Sequence, residues 1–461
     1  MFKKGIISQQ QQPFIFTVKT DNAGTSNNDQ FTMPLVSAGS YNAYVNWGDG
    51  SSIDHITAYN QSEVTHTFTG GAGTYEVKVY GRLTGWSFNN GGDKAKFLDI
   101  LQKGIFDHNN EDGAFYGCSN LTSISATDKP LFSSTSTSVV SFFRDCSFTS
   151  LDWSIYNFTG IAYATNFLNG ITLDQTNLDS LLANLQLNIS SLENSVVIHL
   201  GSGVYSIGDS ETTIYDLSKD KSWTISSGGC SIANQVMWLD AKDPSTITES
   251  STIISEWDEK SLNENNISTG SATYDETTPA QPVSQYNGIT DYFERDTPSQ
   301  ISNWTAARTF IAVVKVPATP LGYIWQTCAL TSVFRDEQLY FNGSNQIEFM
   351  SEHSTAPSRT ITGSQPSAGF HIFIVRIDTS ANNRAVDFYQ DGVLVGSSAS
   401  MGSSSLDPNK LYLGVDEDGG GYQVKGDYTN SGLAELRIYD RFLTNDELTE
   451  LNGELSTKWG I

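Results

Sequence analysis

Basic residues, cysteines and long apolar runs are all scarce in this chain of 461 residues. Lysine and arginine number 26 against 51 acidic residues, a formal charge of −25. No basic cluster interleaved with aromatics offsets that field, so a phosphate backbone is repelled and nucleic acid is not an expected partner. The four cysteines, Cys118, Cys146, Cys230 and Cys328, include no CxxC pair and no histidine stands at zinc-ligand spacing. That excludes a zinc knuckle and argues against a disulfide framework. No stretch approaches the roughly 18 apolar residues that span a membrane, so no membrane insertion is expected. The opening Met1-Phe2-Lys3-Lys4-Gly5-Ile6-Ile7-Ser8 reaches the glutamines Gln9 to Gln12 after too short an apolar part for a signal peptide. GxSxG, P-loop, HExxH and EF-hand patterns are missing, which removes the common catalytic motifs.

What the chain does carry is glycine (39 residues) and aromatic side chains (11%), a composition suited to short strands and turns. A mainly β protein of about three domains is expected from this length. Phe14, Phe16 and Val18 alternate with Ile15 and Thr17, and Thr74 to Tyr80 alternates in the same way, which predicts strands with one buried face. Between them Trp47-Gly48-Asp49-Gly50-Ser51 is a turn in which Asp49 bonds amides of its own loop and Gly50 takes a positive φ. Trp47, Asp49 and His66 read as architectural, because no nucleophile stands beside them for catalysis. With Thr65-His66-Thr67-Phe68 and Gly73-Thr74-Tyr75-Glu76-Val77, residues 13–80 resemble the polycystic-kidney-disease (PKD) type of immunoglobulin-like β-sandwich.

Residues 81–229 contain a repeat. Phe115-Tyr116-Gly117-Cys118 recurs as Phe143-Arg144-Asp145-Cys146 and fades into Phe167-Leu168-Asn169-Gly170, a period typical of solenoids, whose units bury apolar surface only against their neighbours. The pattern resembles BspA-like leucine-rich repeats, which implies a short leucine-rich-repeat-like solenoid with Cys118 and Cys146 as core residues, one above the other. Leu178, Leu181, Leu182 and Leu185 share a helical stripe and predict one amphipathic closing helix. A strand-rich end follows, with a boundary at Gly228-Gly229.

Residues 230–461 resemble the concanavalin A-like (laminin-G or pentraxin-type) jelly roll. The likeness rests on Trp238-Leu239-Asp240-Ala241, Glu256-Trp257-Asp258, Phe310 to Val314, Phe373 to Ile377 and Val386 to Gly396. Within it Asp391-Gly392 predicts a hairpin turn of type I′. Thr444-Asn445-Asp446-Glu447 is a capping box opening a helix with Leu448, Leu451 and Leu455 on one face. Asp416, Asp418 and Asp427 put oxygen ligands on a glycine-rich loop, a candidate Ca2+ site, with a solvated acidic loop as the alternative. Tyr422, Tyr428 and Trp304 are candidate sugar-stacking residues, with burial in the core as the alternative; Trp325 is expected to be buried. Glycanases of this fold carry E-x-D-x-x-E, and Glu256-Trp257-Asp258-Glu259-Lys260-Ser261 lacks the final acid.

Three surface-type modules on a chain without an export signal resemble the make-up of tailed-phage virion proteins, which fold in the host cytoplasm and are released by lysis. The resemblance implies a non-enzymatic structural or adhesion protein on the virion surface: a head fibre, capsid decoration or tail-fibre component. Residues 1–12 would attach it to other virion proteins. The jelly roll would bind host or environmental glycans, with avidity gained from many copies, as in a homo-oligomer. Two other readings stay open: a virion-associated glycan depolymerase working through Glu256 and Asp258, and a bacterial surface adhesin.

Overall fold

In the computed structural model the apolar alternation of the first strand becomes the inner face of a sheet. The structure describes residues 12–461 apart from 129, 133–135, 207–208, 228–234, 251–252, 261–265, 268, 271, 276–280, 291, 297–306, 329–334, 352–358, 379–384, 399–409, 418–424 and 427. The chain divides into two compact units, Met1–Ser231 and Ile232–Ile461.

The first unit begins with β1 (Phe14–Lys19), β2 (Gln30–Thr32), β3 (Leu35–Asn46) and β4 (Asp54–Ile56). It continues with β5 (Thr65–Thr67), β6 (Thr74–Trp86), β7 (Phe97–Gln102) and β8 (Ser123–Ile124). Six of these form a sheet in the order β4-β3-β6-β1-β7-β8, and β2 pairs with β5. Phe14, Phe16 and Val18 are fully buried; each such side chain stabilises the fold by about 1.5–3 kcal/mol. Residue 80, the expected module boundary, lies inside β6, because Leu83 and Trp86 carry the buried face onward.

The turn forms as its residues dictate. Ser51 N and Oγ donate to Asp49 Oδ1 at 3.0 and 2.6 Å, and Gly50 has φ 83°. The other Asp49 oxygen accepts from Thr69 N at 2.8 Å and meets His66 Nε2 at 3.0 Å. The His66 ring lies flat on Trp47, with centroids 4.6 Å apart. All three residues therefore clamp a turn.

Beyond β7 the chain winds into stacked coils. Phe115 N donates to Phe142 O (2.9 Å), Phe143 N to Phe167 O (3.1 Å), Leu168 N to His199 O (2.9 Å) and Leu200 N to Ser226 O (2.7 Å), so each coil rests on the next through backbone bonds. The repeated phenylalanines stack inside, Phe115 6.0 Å from Phe143 and Phe143 5.9 Å from Phe167 between centroids. Gly117 and Asp145, at matching corners, both take positive φ (83° and 56°). Cys118 and Cys146 are free and buried; Cys146 Sγ donates to Phe115 O at 3.2 Å, and burial pushes both thiols up.

Helix α1 (Gln175–Leu187) is capped by Asp174 and buries Leu178, Leu181, Leu182 and Leu185, the predicted stripe. Strand β9 (Val197–His199) then leads to a second helix, α2 (Asp209–Asp220), where one helix was expected. The run Thr212-Thr213-Ile214 is poor in helix propensity, and Tyr215 and Leu217 are the only large apolar residues α2 buries, so its periodicity is hidden. Strand β10 (Thr224–Ser226) pairs in parallel with β9.

The second unit opens with β11 (Gln235–Asp240), β12 (Ile247–Ser250), β13 (Ile253–Trp257), β14 (Thr269–Gly270), β15 (Thr273–Asp275) and β16 (Val283–Gln285). Next come β17 (Phe293–Asp296), β18 (Arg308–Val316), β19 (Gly322–Cys328), β20 (Arg335–Phe341), β21 (Ile347–Ser351) and β22 (Arg359–Thr362). The rest are β23 (Gly369–Asp378), β24 (Ala385–Gln390), β25 (Val393–Ser398), β26 (Lys410–Leu413), β27 (Asp416–Glu417), β28 (Lys425–Gly426), β29 (Gly432–Tyr439) and α3 (Asn445–Trp459). A ten-stranded sheet runs β12-β13-β15-β16-β29-β18-β23-β24-β25, with β11 also on β29; a seven-stranded sheet runs β14-β17-β26-β19-β20-β21-β22.

The two sheets close on a common core to which Phe310, Phe373 and Phe388 contribute from one side and Trp325, Leu339 and Phe349 from the other. At its edge Arg308 and Glu337, both buried, join the sheets through two hydrogen bonds of 2.7 and 3.1 Å. The β24–β25 hairpin turns at Asp391 and Gly392, both at positive φ (50° and 77°), as predicted. The capping box at Thr444 and Glu447 forms, and Leu448, Leu451, Leu455 and Trp459 are the buried side of α3.

That helix is held on the outer side of the ten-stranded sheet by a buried charge cluster. Glu435 accepts from Trp238 Nε1 (2.7 Å) and Trp459 Nε1 (2.8 Å) and pairs with Arg437 (2.6 Å) and Lys458 (2.8 Å). Burial alone would push the Glu435 carboxyl up, but Arg437 and Lys458 pull it down to about 2. No helix among the described residues is long and apolar enough to cross a membrane.

Candidate functional site

The outer face of the seven-stranded sheet gathers polar groups that strand alternation would normally hand to water. Because Phe293, Leu413, Trp325, Leu339 and Phe349 point into the core, their strand neighbours point outward. Register places Glu294, Tyr412, Gln326, Gln338, Met350 and Thr360 in one row across β17, β26, β19, β20, β21 and β22. A second row holds Tyr323, Tyr340, Glu348 and Thr362. Tyr323 and Tyr340 stack with centroids 4.9 Å apart.

The centre of the first row is desolvated. Gln326 and Gln338 are fully buried and Tyr412 nearly so, whereas Glu294, Met350 and Lys410 at the margins are half-buried. Among the described residues neither Oε1 nor Nε2 of Gln338 has a hydrogen-bond partner. An idle buried donor and acceptor each cost about 1–3 kcal/mol, so this amide is unusual among buried polar groups. The second row differs: Glu348 accepts from Tyr340 Oη, from Asn342 Nδ2 (2.8 Å) and from Thr362 Oγ1 (2.9 Å). At the margin Lys410 Nζ lies 4.0 Å from Glu294 Oε1.

Of the sequence-derived candidates, Tyr428 joins this region. It packs with Tyr292 against Tyr412 and Val415. Its backbone is held because Gly322, at φ 77°, has no side chain: a Cβ there would stand 2.3 Å from Tyr428 O. Thr429 N then donates to Gly414 O at 2.9 Å and Asn430 Nδ2 to Thr319 O at 3.0 Å. Trp304, Tyr422, Asp418 and Asp427 lie outside the described residues. Asp416 opens β27 opposite Gly426 of β28. Among the described residues no group of three or more His, Cys, Asp or Glu is placed to hold a metal ion, so the Ca2+ proposal has no described ligand set.

The acids suggested for catalysis are elsewhere. Glu256 sits on β13 opposite Thr248 of β12, and Asp258 Oδ1 accepts from Asn266 Nδ2. On the outer face itself Glu294 and Glu348 are four strands apart, roughly 19 Å at ~4.8 Å per strand. Glycosidase carboxyl pairs stand at about 5–9.5 Å. The row offers rings, amides and hydroxyls suited to a polyhydroxylated ring.

A family model described as the concanavalin A-like lectin/glucanases superfamily matches residues 287–449, from just before β17 into α3. The C-terminal unit is a concanavalin A-like jelly roll. Solved structures resembling the chain include the binding domain of Paraclostridial Mosquitocidal Protein 1, at 11% identity and TM-score 0.37, covering 49% of this chain and 55% of that one. The binding domain of Botulinum neurotoxin DC, solved with rat synaptotagmin II, matches at 9% identity and TM-score 0.35, covering 48% and 52%. Trypanosoma rangeli sialidase in complex with sialic acid matches at 16% identity and TM-score 0.35, covering 49% and 33%. The match thus spans about half the length of these two binding domains. No curated protein matches the chain.

The glutamines of the jelly roll escape sequence reading for a plain reason. Gln326 within Trp325-Gln326-Thr327 and Gln338 within Glu337-Gln338-Leu339 look like the solvent side of a strand, and only the fold shows that they are covered.

Proposed function

We propose that this chain is a non-enzymatic adhesion protein whose jelly roll binds a glycan on the outer face of the seven-stranded sheet. The observation that carries the reading is the Gln338 amide, without a hydrogen-bond partner among the described residues, at the centre of a row flanked by Tyr412, Gln326 and the Tyr428–Tyr292 pair. A buried amide with both ends idle is tolerated where a ligand completes it. Sugar hydroxyls supply donor and acceptor together, and tyrosine faces take the apolar side of the ring. A ligand reaching Gln338 displaces whatever covers the row. The wide separation of Glu294 and Glu348 supports binding without turnover.

In this reading the PKD-like sheet and the BspA-like coils are structural modules of a protein displayed on the outside of a tailed-phage particle. Residues 1–12 attach it there, and many copies raise a weak affinity. The test is glycan-array capture by the full chain and by Gln338→Leu, with reducing-sugar release measured on every captured polysaccharide and immunogold imaging of purified virions with an antibody to the C-terminal unit. Capture that the substitution abolishes, without sugar release and with label on particles, supports the reading. Sugar release, capture by neither protein, or unlabelled particles overturns it.

A further inference from the structure

The first unit carries an exposed row of rings that the jelly-roll reading does not use. In β3, Ala43 and Val45 are buried, so Tyr44 points outward; in β6, Val77 and Val79 are buried, so Tyr80 points outward; in β4, Ile56 is buried and His55 points outward. Register sets Tyr44 opposite His55 on one side and opposite Tyr80 on the other. Three rings thus occupy adjacent strands of one outward sheet face, where facing Cβ atoms are about 5 Å apart.

The Tyr44 and His55 rings are parallel, with centroids 4.4 Å apart and planes within 5°. His55 Nε2 lies 2.7 Å from Asn42 Oδ1, which fixes the plane of the imidazole. Tyr44 is nevertheless 46% exposed, and Ile53 and Tyr59, on the turns flanking β4, are 48% and 43% exposed. So many large apolar groups left in water around one short strand point to a contact surface.

The charges beside the row are uneven. Lys78, on the same face, is neutralised by Glu76 at 2.8 Å. Arg82, two residues beyond Tyr80 and opposite Asn42, is exposed and has no ion-pair or hydrogen-bond partner among the described residues. An unpaired guanidinium presents a planar fork that matches a carboxylate. At physiological salt, fields fade over about 8 Å, so one carboxylate at Arg82 feels that group more than the distant acids. A polyphosphate lying along the surface would meet those acids repeatedly.

We propose that the His55–Tyr44–Tyr80 row, with Arg82 at its edge, is a second saccharide site, and that it takes a sugar ring bearing an isolated carboxylate. The ring's C–H face stacks on Tyr44 and the carboxylate meets Arg82.

The test is isothermal titration of the full chain with cellobiouronate, with cellobiose as its neutral match and a short oligothymidylate as the competing stacker. The wild type is expected to bind cellobiouronate at least fivefold more tightly than cellobiose. Tyr44→Ala, at an exposed position, is expected to weaken that binding tenfold or more, and Tyr44→Phe, which keeps the ring, to stay within twofold. Arg82→Gln is expected to level the two disaccharides. The proposal is overturned if Tyr44→Ala binds as the wild type does, if Arg82→Gln keeps the preference, or if oligothymidylate is bound more tightly than either sugar.

Discussion

Replacing Gln338 by leucine should make the protein more stable and less able to bind. In the free protein the side chain is fully buried and both amide ends are idle among the described residues. Each idle end costs about 1–3 kcal/mol, so roughly 2–6 kcal/mol is recoverable. The branched leucine is not an isostere, and repacking against Gln326 and Met350 returns about 1–3 kcal/mol. The expected net gain is about 2 kcal/mol. For a unit of this size, 1 kcal/mol moves Tm by about 2–4 °C, so calorimetry of the full chain should show one transition raised by about 4–8 °C. Glycan capture by the same variant should fall at least tenfold, because the leucine offers the ligand neither donor nor acceptor. A lowered Tm would mean that the amide is bonded in the free protein, and unchanged capture would mean that it is not in the site. Either result refutes the reasoning.

Four further outcomes follow from named contacts. Glu435→Gln leaves the buried Arg437 and the partly buried Lys458 without their shared carboxylate and should cost about 3–5 kcal/mol. Since the folded carboxyl titrates at about 2, below its ordinary value, the stability it confers is complete above pH ~4.5 and disappears between ~4.5 and ~2, a transition to follow by tryptophan fluorescence and absent from the variant. Gly322→Ala drives a methyl to within 2.3 Å of Tyr428 O and strains a left-handed residue; it should destabilise the jelly roll by about 2 kcal/mol or more and reduce glycan capture.

Asp49 is opposed by burial but held below the carboxylate range by hydrogen bonds from Ser51, His66 and Thr69. Asp49→Asn should therefore cost about 2 kcal/mol at neutral pH and remove stability that the wild type loses only as pH falls below ~4. The Asp391 carboxylate raises the His371 pKa against burial, so that pair stabilises the β24–β25 hairpin below pH ~6.5 and the effect is lost as pH rises through the folded value. An NMR titration of the imidazole, and faster amide exchange at Ile372 above that pH, would show it; a depressed His371 pKa would refute it.

Local rules were legible in the sequence where one short segment satisfies itself. The Asp49 turn, the four-leucine stripe of α1, the capping box at Thr444 and the positive φ pair at Asp391 and Gly392 all involve residues a few positions apart. Long-range consequences were not. The row around Gln338 draws on strands from Phe293 to Leu413, whose order no local pattern encodes, and a glutamine in alternation reads as wet whether or not something covers it. Tyr428 was singled out as an aromatic on a loop, but its neighbours are Tyr412 of β26 and Tyr292, the residue before β17. The helix α2 hid behind β-branched residues, and the partners of Glu435 come from β11, β29 and α3, far apart in the chain.

The backbone ladder of the stacked coils restricts how that region changes length. Each coil sets its amides against the carbonyls of the next, and its corners bend through left-handed residues such as Gly117 and Asp145. Slipping the chain by one position between Phe115 and Phe143 would put a bulky side chain on a corner and a phenylalanine in water. The rungs are spaced unevenly along the chain, Phe143 reaching to Phe167 but Leu168 to His199, so gain or loss of material is absorbed between the corners and not at them.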